Sequence, residues 1–160
     1  MTVHEYNEAV SDWSDQLFGY LWKMTGHRED AENLVQSTFE RLWTKRKEVE
    51  YPTAKAWMYR VARNLWIDEQ RKMNRMKGLD EFNDSRSNEP VHPGLKEVVN
   101  QALGRLNEKQ RSIILLRDYE GYDYKSIGEI LDMNEGQVKV NLFRARKAVK
   151  AYIKDLELVL

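Results

Sequence analysis

Apolar positions in this chain recur every three or four residues, the spacing that lines one face of an α-helix, and strand-like alternation is absent. In the first half, Leu34, Val35, Thr38, Phe39, Leu42 and Trp43 form such a stripe. Pro52 and Thr53 interrupt it, and the Thr53 hydroxyl can cap a new helix by accepting a hydrogen bond from a free first-turn N–H. The segment that follows, AKAWMYRVARNLWIDEQRK, sets Trp57, Val61, Leu65 and Asp68 along one side, with Arg60, Arg63, Arg71 and Lys72 mostly elsewhere. Trp43 and Trp66 are expected in the core and Asp68 in a structural role, while Trp57 fits either a core or an exposed ring.

In the second half, Val98, Val99, Ala102, Leu103 and Leu106 predict one helix. Asn107 with Gln110 is a capping-box pattern that starts the next, through Ile113, Ile114 and Leu116 to a stop at Gly121. Asp123 can cap a short helix through Ile127, Ile130 and Leu131. Asp132-Met133-Asn134 then makes a turn. Asn134 with Gln137 is a second capping box, opening a last helix on Val138, Leu142, Ala145, Val149 and Ile153. A short helix, a tight turn and a longer basic helix is the sequence shape of a helix-turn-helix. The predicted fold class is therefore all-α, with two small helical domains, residues 1–77 and 95–160, the second a helix-turn-helix. They are joined by a flexible acidic linker, residues 78–94. That stretch, GLDEFNDSRSNEPVHPG, carries four acids against Arg86 alone, and cannot bury enough surface to offset chain entropy.

The length, 160 residues, suits one ordinary domain or two small ones, and 41% apolar residues supply a modest core. The absence of cysteine excludes disulfide frameworks, thiolate zinc sites and Cys nucleophiles. No run of 18 apolar residues exists, so no membrane insertion is expected. The start, MTVHEYNEAVSD, is acidic rather than basic-then-apolar, unlike a secretory signal, so a cytoplasmic protein is expected.

Charge changes the picture only through its arrangement. The 26 Lys+Arg and 26 Asp+Glu balance to zero, yet Met1–Glu40 is strongly acidic and Ala54–Lys77 strongly basic. Gln137–Lys154 holds Lys139, Arg144, Arg146, Lys147, Lys150 and Lys154 with no acid. Two basic blocks separated by acidic ones suggest two polyanion-facing surfaces, although either block alone could merely solvate a helix. For catalysis nothing converges. His4, His27 and His92 are scattered, no phosphate-cradling glycine motif exists, and pairs such as Glu29-Asp30 or Asp68-Glu69 point about 100° apart on a helix. No catalytic residue, metal ligand or cofactor is predicted, and the chain does not read as an enzyme.

The helix-turn-helix carries more. On its second helix, Glu135, Gln137, Lys139, Asn141 and Arg144 are expected to face outward, with Val138, Leu142 and Ala145 inward. Gln and Asn pair with adenine, Lys and Arg with guanine, and Glu accepts from cytosine. Arg146, Lys147 and Lys150 are placed to meet phosphates. In the first half, which holds all five tryptophans, Tyr51, Trp57 and Tyr59 flank the basic stretch. Rings among bases can stack on unpaired nucleobases, though rings at helical spacing are more often core.

At these residues a resemblance emerges. HREDAENLVQSTFERLW and AKAWMYRVARNLWIDEQRK resemble conserved region 2 of bacterial sigma factors. ALGRLNEKQRSIILLRDYEGYDYKSIGEILDMNEGQVKVNLFRARKAVK resembles region 4. The order, the spacing and the loose linker are similar to the small extracytoplasmic-function (ECF) group. The resemblance implies an RNA polymerase sigma factor that binds core polymerase, recognises −35 and −10 promoter elements and promotes transcription initiation. It implies that Asp30, Asn33, Gln36 and Glu40 meet the β′ clamp helices of core RNA polymerase. It implies that the loop Lys47–Lys55, with Tyr51 and Lys55, captures a base flipped from the −10 element, an extraction that costs a few kcal/mol. Trp57, Arg60, Arg63 and Asn64 are then expected on the opened strand. Glu135, Gln137, Lys139, Asn141, Arg144 and Lys147 are expected at the −35 duplex. Another part of region 4 is expected to lean on the β flap, the linker to thread toward the RNA exit path, and an anti-sigma factor to act as a further partner.

Three departures from the family pattern stand out. Trp57-Met58 offers one ring where primary sigma factors carry two adjacent aromatics, Asn107 replaces a usual proline, and Val140-Asn141 replaces a frequent Ser-Arg, leaving the base preference open. A stand-alone helix-turn-helix repressor or activator would need a ligand pocket or dimer seam in the first half. A helical adaptor without DNA gives no reason for an acid-free Gln137–Lys154.

Overall fold

The computed structural model describes residues 1–78 and 94–159. The expected linker, apart from its end residues Gly78 and Gly94, lies outside the described residues. Among the described residues there are seven α-helices, one π-helical turn and no strand. The chain divides into two compact units, Met1–Ser85 and Arg86–Leu160.

The first unit packs α1 (Val3–Thr25), α2 (Arg28–Lys45) and α3 (Tyr51–Met76) against one another. Helix α1 was not among the expected elements, although its signal is local. The Thr2 hydroxyl accepts from the Glu5 N–H at 3.1 Å while the Glu5 carboxylate accepts from the Thr2 N–H at 2.8 Å, a reciprocal capping box. Gly26, at φ 77°, closes it in the left-handed conformation that glycine adopts without penalty. Leu17, Tyr20, Leu21 and Met24 of α1, Leu34 and Leu42 of α2, and Met58, Tyr59, Ala62 and Trp66 of α3 make the core. Tyr20 meets Tyr59 edge to face at 5.1 Å between ring centroids. Burying rings of this size contributes roughly 1.5–3 kcal/mol each.

Four expectations are corrected here. Trp43 is 41% exposed, not core. It lies about 100° around the helix from the fully buried Leu42, and is held at the edge by Tyr6 (4.9 Å, edge to face) and by the Arg46 guanidinium 3.8 Å over its ring. Thr53 does not cap α3. The helix begins at Tyr51 with Pro52 in its first turn, where a missing N–H costs nothing, and the Thr53 hydroxyl instead donates to the Glu50 carbonyl at 3.2 Å. On α3 the buried stripe runs through Ala54, Met58, Ala62 and Trp66, so Trp57, Val61 and Leu65 form its half-exposed flank. Asp68 is exposed, away from any structural core.

In the second unit, α4 (Leu95–Arg105), α5 (Glu108–Ile114) and α6 (Tyr124–Leu131) each pack on the long α7 (Glu135–Val159). Leu103, Leu106, Ile113, Leu116, Ile127, Ile130, Val138 and Leu142 fill the core. Asn107 Oδ1 accepts from the Gln110 N–H at 2.8 Å, and Asp123 Oδ1 from the Ser126 N–H at 2.7 Å. Helix α5 runs into a π-helical turn, Leu115–Tyr119, before Gly121 at φ 77° breaks the chain direction. The fully buried Arg111 donates from Nε to the Leu103 carbonyl and from Nη2 to the Leu106 carbonyl, both at 2.8 Å, and so stitches the end of α4 to α5.

Candidate nucleic-acid interface

Helices α6 and α7 are joined by Asp132-Met133-Asn134, with Asp132 in the left-handed region at φ 56°. The Met133 N–H donates to the Gly128 carbonyl at 2.9 Å, so the turn folds back tightly on α6. Asn134 then starts α7 through a complete capping box: its Oδ1 accepts from the Gln137 N–H (2.8 Å), and Gln137 Oε1 accepts from the Asn134 N–H (3.0 Å). Val138, Leu142 and Ala145 are fully or almost fully buried, which turns the opposite face of α7 to solvent.

The residues expected to read DNA fall into three groups on that helix. Glu135, Arg144 and Lys147 are exposed. Lys139 is exposed with its ammonium 5.5 Å from the centre of the Tyr124 ring, on which the Arg117 guanidinium also sits at 4.8 Å. Gln137 is tied into the capping box, and half-buried Asn141 donates to the Gln137 carbonyl at 2.8 Å. Arg146, expected on phosphate, instead pairs with Asp118 of the π-turn at 2.5 and 3.1 Å. That bidentate bond holds its guanidinium still more firmly protonated. Exposed beside these polar groups are Val140 and Phe143, neither of them among the expected DNA contacts; their helical register marks them as outward.

In the first unit, Asp30, Asn33, Gln36 and Glu40 are all exposed along α2, and Trp43 extends the same face. Asp30 also approaches Glu69 of α3, whose carboxyl is raised by burial and then by that like charge. Between α2 and α3 runs a groove of about 560 Å³ lined by Ser37, Glu40, Arg41, Thr44 and Lys45 on one side and Trp57, Val61 and Leu65 on the other. A second hollow of about 350 Å³, lined by Lys45, Glu48, Val49, Glu50 and Thr53, shares Trp57. The ring of Trp57 thus forms a wall of both, which resolves its role in favour of a half-exposed surface.

Arg60 and Asn64 are exposed and Lys55 is half-exposed. Arg63 differs from the expected open surface position: it is only 8% exposed, in the core stripe beside Ala62 and Trp66. Tyr59 is core as well. Met58, beside Trp57, is fully buried and offers no second wedge. The Tyr51 ring stacks on Trp13 at 5.4 Å, and its phenol is pushed up by burial and by Glu8, Asp12 and Glu5 of α1. Among the described residues no group of three His, Asp or Glu side chains could hold a metal ion, and no helix is long and apolar enough to cross a membrane.

A helix-turn-helix unit whose second helix is acid-free from Gln137 to Lys154, preceded by a three-helix unit with a basic third helix, defines a two-part transcription factor architecture. The family profile of sigma-70 region 2 matches residues 9–76, and that of sigma-70 region 4 matches residues 96–149. The chain is 32% identical to the ECF RNA polymerase sigma factor SigL of Mycobacterium tuberculosis over 149 residues, covering 88% of this chain and 84% of SigL. It is 27% identical to SigM of Bacillus subtilis, covering 94% of each. Against SigE of Mycolicibacterium smegmatis it is 28% identical but spans only 61% of that relative's length. Among solved structures, the sigma factor RpoE of Bartonella quintana, in complex with the anti-sigma factor NepR, superposes with a TM-score of 0.81 at 25% identity, over 95% of this chain and 98% of RpoE. The chain belongs to the sigma-70 family, in its ECF group, and its function is that of an RNA polymerase sigma factor in transcription initiation.

Proposed function

We propose that this sigma factor docks on core RNA polymerase through the polar face of α2, holds melted −10 DNA with the first half of α3, and reads the −35 duplex with α7. The carrying observation is a division of labour in chemistry. The exposed row of α2 is polar or acidic (Asp30, Asn33, Gln36, Glu40), while α3 turns Arg60, Arg71 and Lys72 outward and α7 turns Lys139, Arg144, Lys147 and Lys150 outward. A neutral-to-acidic face suits a protein partner, and cationic faces suit phosphates. Trp57, wall of two hollows and flanked by Lys55 and Arg60, is better placed than Tyr51 to stack on an unpaired base, because Tyr51 is already stacked on Trp13. Arg60 and Asn64, one turn apart, follow along the strand; Arg63 acts beneath them as a core residue.

The β flap, an anti-sigma factor and a cytoplasmic location complete the proposal. The anti-sigma partner is supported by the Bartonella structure, in which a relative of the same fold is bound by one. The test separates the surfaces. Replacing Asn33, Gln36 and Glu40 with alanine together should abolish capture by core polymerase without altering the fold. Replacing Trp57 with alanine should leave capture intact and slow opening of a −10 region carrying a fluorescent adenine analogue. Equal loss of capture by both variants would refute the division.

A further inference from the structure

Two of the polar side chains expected to read bases on α7 are already engaged by their own helix. Gln137 exchanges hydrogen bonds with Asn134 at 2.8 and 3.0 Å, and Asn141 donates to the Gln137 carbonyl at 2.8 Å. Gln137 Oε1 and one Asn141 amide N–H are thereby held by the helix, which fixes both side chains and leaves only their remaining amide groups for a base edge. On the side opposite the buried Val138, Leu142 and Ala145 stand Gly136, Val140, Phe143 and Lys147. Val140 is 47% exposed and Phe143 is 68% exposed. Gly136 carries no side chain, so on this side the first turn presents bare backbone and allows close approach.

The chemistry of this face is unusual for a solvated helix: two large apolar groups at its centre, framed by Lys139, Arg144 and Lys147, in a stretch without a single acid. Its partner must be anionic overall and apolar at points. Duplex DNA meets both demands, because the thymine C5-methyl is the apolar group among the major-groove base edges. Side chains three apart on a helix have Cβ atoms roughly 5–6 Å apart. Neighbouring base pairs rise about 3.4 Å. The two side chains therefore reach methyl groups one or two steps apart.

We infer that Val140, with Phe143 beside it, determines promoter specificity by packing on thymine methyl groups of the −35 duplex. The inference rests on α7 being the −35 recognition helix, and it names the base that this helix prefers. Burial of one methyl corresponds to about fourfold in binding.

The test uses the full chain assembled with core polymerase. The −35 element is first defined by selection from random promoters, and each of its thymines is then replaced by deoxyuridine, which removes only the methyl. One or two of these replacements should weaken the wild-type complex about fourfold, and Val140→Ala should bind the thymine duplex more weakly and become indifferent to deoxyuridine at one of them. Phe143→Ala should do the same at the neighbouring position. Both residues are exposed, and unchanged circular dichroism confirms that the variants fold. Neutrality of every deoxyuridine in the wild type, a selected element without thymine, or full methyl sensitivity in Val140→Ala overturns the inference. So does loss of core binding with unchanged promoter choice, which would assign the patch to a protein partner. Promoter choice that ignores the −35 duplex altogether would instead sink the role of α7, and the inference with it.

Discussion

Gly128→Ala is the sharpest test of the helix-turn-helix geometry, because two effects of opposite sign compete at one atom. In an exposed helix, alanine in place of glycine gains about 1 kcal/mol. At Gly128 the added Cβ would meet the Met133 carbonyl oxygen well inside 3.0 Å, a backbone atom that cannot swing away. The same turn is pinned by the Met133 N–H bonded to the Gly128 carbonyl and by Asp132 in the left-handed region. Relief therefore requires the turn, and the start of α7 with it, to move outward. Overpacking of this kind costs about 1–3 kcal/mol, and a backbone obstacle puts it at the upper end. The net expectation is a loss of about 1–2 kcal/mol in the second unit, or roughly 5–15 °C in its melting temperature. All five tryptophans lie in the first unit, so their fluorescence reports on that unit alone while far-ultraviolet circular dichroism reports on both. The variant should show an unchanged fluorescence transition and an earlier dichroism transition, with weakened −35 binding. A Gly128→Ala protein as stable as the parent, or more so, would refute the steric reasoning.

Four further outcomes follow from single side chains. Arg111→Met should cost about 3 kcal/mol or more in the second unit, because the buried carbonyls of Leu103 and Leu106 lose their donor; denaturant titration followed by circular dichroism measures it. Asp123, held below the ordinary carboxylate range by its bond from the Ser126 N–H, contributes stability that is present above the unfolded-state value and lost as pH falls through the lower folded one. Asp123→Asn keeps a cap that does not titrate, so its acid-side melting curve should be flatter than the parent's. Arg60→Ala should weaken binding to a melted −10 strand and reduce its salt dependence while leaving stability intact. Arg63→Ala should instead lower the stability of the first unit, and equal DNA effects from both would contradict the burial of Arg63.

The parts of the fold that were legible in advance are those whose signals are local. Caps at Asn107, Asp123 and Asn134 and the turn at Asp132-Met133-Asn134 are decided within four residues of sequence, and the structure realises each of them, the turn with Asp132 in the left-handed region. The Thr2–Glu5 box of α1 is equally local, but it lies in an acidic segment and the apolar stripe it introduces, Leu17, Tyr20, Leu21 and Met24, begins only about four turns further on. What sequence spacing could not decide was which of two neighbouring stripes a helix buries. On α3, Trp57-Val61-Leu65 and Met58-Ala62-Trp66 are both apolar and about 100° apart, and the choice is made by the faces that α1 and α2 bring to it. The same uncertainty placed Trp43 inside and Arg63 outside. At the DNA-facing helix, residue type suggested Gln137 and Asn141, but one polar atom of each side chain is already bonded within the helix, a fact visible only in the hydrogen bonds.

Two separate DNA-reading units should together direct core RNA polymerase to promoters. The most direct measurement is run-off transcription by purified core polymerase on a promoter library, with and without the full chain, followed by sequencing of the 5′ ends. New start sites should appear that require the chain and share two spaced sequence elements, one lost on altering Trp57 and the other on altering Val140 or Arg144. Start sites unchanged by the protein would contradict this expectation.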